Sequence, residues 1–90
     1  MAKEIVLFKS EERKELQDVC EFLHQLTDKL ATNQVILQKG SEKIELSIPK
    51  VVVLEIKVEE ESKGNKIKHS LEIEIEWVEG DQNGESISLG

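Results

Sequence analysis

From residue 71 to residue 79 the chain reads Leu-Glu-Ile-Glu-Ile-Glu-Trp-Val-Glu, with apolar and acidic residues alternating up to the single tryptophan. A period of two is the signature of a strand with one dry face and one wet face. Leu71, Ile73, Ile75 and Trp77 share one side, and Glu72, Glu74 and Glu76 the other. The preceding stretch behaves alike: Val52, Leu54, Ile56 and Val58 face inward, Glu55, Lys57 and Glu59 outward. Gly64-Asn65 between them suits a type II′ two-residue hairpin loop. That loop sets Val58 across from Leu71, Ile56 from Ile73, Leu54 from Ile75 and Val52 from Trp77. On the outer face it sets Lys57 against Glu72 and Glu55 against Glu74. The first of these pairs attracts and the second repels, each by less than ~1 kcal/mol.

Earlier in the chain, Val35-Ile36-Leu37-Gln38 and Lys43-Ile44-Glu45-Leu46-Ser47-Ile48 read as strands joined at Gly40-Ser41. Leu37 then pairs with Ile44 and Val35 with Leu46, all on one face. Pro49-Lys50 ends the second of these strands, because proline brings no amide proton to a ladder. Upstream the period changes. Leu16, Val19, Cys20, Leu23, Leu26, Thr27 and Leu30 recur at steps of three and four, and Phe22 widens the stripe at one edge. Residues 11–31 therefore read as one helix of roughly five to six turns. Ser10 is placed to cap its start and Asn33 to stop it in the left-handed conformation. Glu4 to Lys9 is short and β-rich, and reads as a first strand.

The expected fold is α+β: a two-layer sandwich in which one long helix packs on one face of a mainly antiparallel sheet, in the order β-α-β-β-β-β. Placement of the strand at 4–9 stays open between an edge beside 35–38 and one beside 67–78. Residues 1–79 read as a single domain and residues 80–90 as a flexible tail.

Composition narrows the function classes. With 3% aromatic residues among 38% hydrophobic, the core of this 90-residue chain must be aliphatic. The net charge of −7 is uneven: residues 1–43 carry seven basic and eight acidic groups, residues 44–90 five and eleven. An acidic strand-rich half repels nucleic acid and anionic membrane and attracts cationic partners. No apolar run approaches the ~20 residues of a membrane helix, and no signal peptide is visible, so a cytoplasmic protein is expected. One cysteine permits no internal disulfide.

Certain residue combinations carry a family likeness. Phe8-Lys9-Ser10-Glu11-Glu12, the segment from Glu21 to Leu30, the turn Gln38-Lys39-Gly40 and the run from Leu71 to Trp77 together resemble the amphi-Trp domain family. These are small prokaryotic proteins named for a C-terminal amphipathic strand ending near a tryptophan. The likeness covers roughly residues 4–78. It implies a fold, brings no assigned activity, and transfers no catalytic residues.

Three constellations bear on chemistry. Cys20 and His24 lie four apart on the helix, one turn from each other, the spacing of two ligands to one metal ion. Two ligands are half a site. The plain alternative is a buried Cys20, with His24 and His69 at the margin of the core. Glu45, Glu55, Glu59, Glu72, Glu74 and Glu76 form an open acidic face, either a solvated surface or a docking surface for a cationic partner. Trp77 is either a plug against Pro49 and Val52 or an interface anchor. P-loop, dinucleotide and CxxC motifs are absent from the sequence, as is a nucleophile–base pair.

The leading expectation is a non-enzymatic protein-binding or assembly module using its charged sheet face or an edge strand, through Glu55, Lys57, Glu72, Glu74, Glu76 and Trp77. It needs no cofactor, and its partner is a protein or a second copy of itself, neither nucleic acid nor membrane. The alternative is a metal- or small-ligand-binding protein using Cys20 and His24.

Overall fold

A computed structural model describes residues 3–79. It contains one helix and four antiparallel strands: α1 (Leu16–Leu30), β1 (Gln34–Lys39), β2 (Glu42–Ser47), β3 (Val53–Lys63) and β4 (Lys66–Glu76). The class is α+β, as the two hydrophobic periods require. The expected tail at 80–90 lies outside the described residues. The chain divides into two compact units, Met1–Ile48 and Pro49–Gly90.

In the first unit, residues 3–15 form no regular element. The strand expected at 4–9 is therefore not seen: a strand needs a ladder partner, and these residues pair with none among the described residues. Ile5, Val6 and Leu7 are exposed, and only Phe8 is half-buried. The helix also starts later than its charge pattern suggests. Glu15, not Ser10, is its N-cap, and it makes no side-chain capping bond. Glu11 to Glu15 are all charged and give a helix nothing to bury. The apolar stripe that helix formation depends on begins only at Leu16. Lys14 instead pairs with Glu12 at 3.2 Å, a two-residue spacing that brings side chains together on extended backbone but not on a helix.

Asn33 ends α1 at φ 63°, as expected of a left-handed stop. It also does something the sequence does not announce. Its carbonyl accepts from Ile48 N–H at 2.8 Å, and its Nδ2 donates to Ile48 O at 3.0 Å. The residue that stops the helix thus also closes the β1–β2 hairpin at its open end. Between them, β1 and β2 pair Val35 with Leu46 and Leu37 with Ile44. Gly40 has φ 58° and Ser41 is not left-handed, the pattern of a type II′ loop. α1 packs on β1. Val35 is 3% exposed, and around it Val19, Leu26, Leu30, Leu37, Ile44 and Leu46 are half-buried. The helix stripe is narrower than its spacing implies, since Leu16, Leu23 and Phe22 stay exposed. Cys20, expected among the buried stripe residues, is exposed too.

The second unit is built on the β3–β4 hairpin. Its register is Leu54↔Ile75, Ile56↔Ile73 and Val58↔Leu71, continuing to Lys63↔Lys66 around Gly64-Asn65. Gly64 has φ 59° while Asn65 is not left-handed, again the type II′ pattern. The ladder closes at Val53↔Glu76, so the expected pair Val52–Trp77 does not form.

The four strands make two two-stranded sheets, β1–β2 and β3–β4, in place of the single mainly antiparallel sheet expected from the sequence. The physical reason lies at residues 48–52. Ile48 gives both backbone groups to Asn33 on the β1 side, which lengthens the β1–β2 hairpin and carries nothing toward β3. Pro49 follows, with no donor and a fixed φ. The chain leaves β2 without a ladder bond to carry it into β3.

Candidate interaction face

Residues directly opposite in an antiparallel ladder share a face. On β3–β4 the outer face therefore carries, from the open end inward, Glu76 opposite Val53, Glu74 opposite Glu55, and Glu72 opposite Lys57. Beyond these come Glu59 opposite Ser70, Glu61 opposite Lys68 and Lys63 opposite Lys66. The face is thus polarised. Its open half holds four glutamates and one lysine, while the half near the turn is close to neutral.

Lys57 sits at the boundary and bridges two carboxylates, Glu59 at 3.7 Å and Glu72 at 3.8 Å. Glu61 pairs with Lys63 at 3.6 Å. All these groups are exposed, and such pairs contribute at most ~1 kcal/mol each. No lysine pairs with Glu55, Glu74 or Glu76 among the described residues. Their carboxylate oxygens lie within 4.8 Å of one another. The expected attraction at Lys57–Glu72 and repulsion at Glu55–Glu74 both have their geometry here. What the sequence did not offer is Glu76 joining the second pair, which follows from the ladder ending there.

Trp77 lies just past β4, half-buried. By its place in the alternation it continues the phase of Ile73 and Ile75, on the apolar side of the hairpin and away from the glutamates.

Cys20 and His24 are both exposed and one helical turn apart. Among the described residues the one set of three candidate ligand side chains is Glu55, Glu74 and Glu76, so no third donor joins the Cys20–His24 pair. His69 is elsewhere, opposite Glu60 on the apolar face, with Nδ1 4.0 Å from the carboxylate.

A groove of about 610 Å³ in the first unit was also not foreseen. Phe8, Val19, Phe22, Ile36 and Leu37 supply its apolar wall, and Glu12, Lys14 and Lys39 its charged groups. It lies where residues 8–14, which form no regular element, meet residues of α1 and β1. The usable signal was the spacing of Glu12 and Lys14 together with the lack of any apolar residue from Glu11 to Glu15.

These features define an α+β domain that ends in a strictly amphipathic strand with a tryptophan immediately beyond it. The family model of the Amphi-Trp domain matches residues 1–90. The chain belongs to that family, and the match runs through residues 79–90, which the likeness carried by the quoted motifs did not include. No curated protein and no solved structure matches the chain. No helix among the described residues is long and apolar enough to cross a membrane.

Proposed function

We propose that this domain is a non-enzymatic protein-binding or assembly module of the cytoplasm, and that its docking surface is the acidic open half of the β3–β4 hairpin. The observation that carries this reading is the convergence of Glu55, Glu74 and Glu76 within 4.8 Å, beside Glu72 and with Lys57 as the one cation on that half. Three like charges crowded on a rigid ladder repel one another. A cationic segment of another protein relieves that repulsion on docking, which gives the face a preference for basic partners and steers their approach. Among the described residues each two-stranded sheet also leaves the outer edge of its strands unpaired, and a bound segment can add a strand there.

The test is affinity capture from the native host, comparing the wild type with a Glu72→Gln, Glu74→Gln, Glu76→Gln triple variant. A protein held by the wild type, released by high salt and lost with the variant supports the reading. Equal capture by both removes the acidic face from the function.

A further inference from the structure

The apolar face of the same hairpin is not accounted for by acidic docking. Leu54, Ile56 and Val58 stand across from Ile75, Ile73 and Leu71, three consecutive levels with an aliphatic side chain on both strands. Leu54, Ile56, Val58, Leu71 and Ile73 are between 58% and 73% exposed. An isolated two-stranded hairpin is marginal in water, and a contiguous aliphatic surface of this kind marks a contact surface.

Two observations say what covers it. The first is charge. Within these three levels the face has no ionisable group; the next level is Glu60 opposite His69, which face each other at 4.0 Å. Two copies laid face to face bury no glutamate from the outer ladder, and the mutually repelling acidic faces end up on opposite outer sides. The second is self-complementarity and area. A twofold axis beside Ile56 and Ile73 lays the Leu54–Ile75 level of one copy on the Val58–Leu71 level of the other, aliphatic on aliphatic. With the partial exposure of Ile75 and Trp77, the patch amounts to roughly 600 Å² per copy, so a pair removes on the order of 1,200 Å² from water, the lower edge of a standard interface.

We infer that the apolar face of β3–β4 is a homodimer interface, in which two hairpins stack and present their acidic faces outward on both sides. This rests on the assembly reading above and names the assembling partner as a second copy of the chain. The dimer is weak, because the area is small, and it displays the docking face twice, which strengthens the grip on any partner with two basic segments.

Sedimentation velocity and light scattering of the full chain, from low micromolar to submillimolar concentration, test it. The wild type should be a dimer at the upper end and dissociate on dilution. Ile56→Lys should raise the dissociation constant roughly 100-fold or more, leaving a monomer with an unchanged far-UV spectrum. Glu74→Gln should leave the dimer intact. Should Ile56→Lys fail to fold, Val58→Thr keeps the β-branched shape and should weaken the dimer roughly five-fold. A wild type that stays monomeric throughout overturns the inference, and so does a dimer that both apolar-face variants leave intact. A monomer that still captures a protein through Glu72, Glu74 and Glu76 sinks the dimer and leaves acidic docking standing. A dimer that captures nothing does the reverse.

Discussion

Glu74 is the residue at which the electrostatics of the hairpin can be read most directly. It stands directly across from Glu55 and within 4.8 Å, oxygen to oxygen, of both Glu55 and Glu76. Two unit charges ~5 Å apart in water repel by ~0.8 kcal/mol before salt screening. At physiological ionic strength, on a fully wetted face, about half of that survives per pair. Glu74→Gln removes both repulsions and should stabilise the fold by about 0.5 kcal/mol, allowing for rearrangement of flexible side chains. Glu74→Lys replaces them with attractions and should stabilise by about 1 kcal/mol. With a slope near 1 kcal/mol/M for a chain of this size, the urea midpoint should rise by about 0.5 M for Gln and about 1 M for Lys, at unchanged slope. The assay is urea titration followed by far-UV circular dichroism at one fixed protein concentration, since self-association couples stability to concentration. Repeating it in 1 M salt, where the Debye length shrinks to ~3 Å, should erase most of both gains. Lys57→Gln supplies the opposite sign, because Lys57 bridges Glu59 and Glu72. A midpoint that falls or stays put for Glu74→Lys, or a gain that salt leaves untouched, refutes the reasoning.

Four further outcomes follow from the geometry. Val35→Ala thins the core at its most deeply buried position among the described residues and should cost about 2–3 kcal/mol in the same titration. Asn33→Ala should cost about 2 kcal/mol, since alanine is strained at φ 63° and the bond to Ile48 O is lost; Asn33→Gly should recover the part due to backbone strain. Gly64→Ala should cost about 1–2 kcal/mol although an added Cβ meets nothing within 4 Å, so that backbone conformation alone sets the loss. Ser10→Ala should shift the thermal midpoint by less than the roughly 4–8 °C that a true 1 kcal/mol cap supplies in a domain of this size, because α1 is capped at Glu15.

Both hairpin registers were legible in the residues because two local signals agree. Gly40 and Gly64 fix two-residue loops, and the alternation around them tolerates no slip without turning every aliphatic side chain to the wrong face. Asn33 was legible as a helix stop for the same kind of reason, a backbone angle that few residues accept. The acidic face came with the alternation. What could not be read depends on partners distant in sequence. Glu4 to Lys9 has the composition of a strand, but a strand exists only where a ladder receives it. Ser10 and its following glutamates satisfy the local grammar of a helix start, yet the stripe that makes a helix worth forming begins at Leu16. The capture of Ile48 by Asn33 spans fifteen residues, a pairing that no local pattern announces. Cys20 and His24 had the spacing of two ligands, and a third depends on tertiary placement that supplies none among the described residues.

The central claim is that β3–β4 has one face given to water and cationic partners and one given to a second copy of the chain. Carbene footprinting with mass spectrometry reads both faces in a single sample of the unmodified protein, taken at high concentration and after dilution. The account predicts heavy labelling of Glu55, Glu72, Glu74 and Glu76 at every concentration. It also predicts protection of Leu54, Ile56, Val58, Leu71 and Ile73 that fades as the sample is diluted. Apolar-face labelling that does not change with concentration, whether strong or weak, would contradict it.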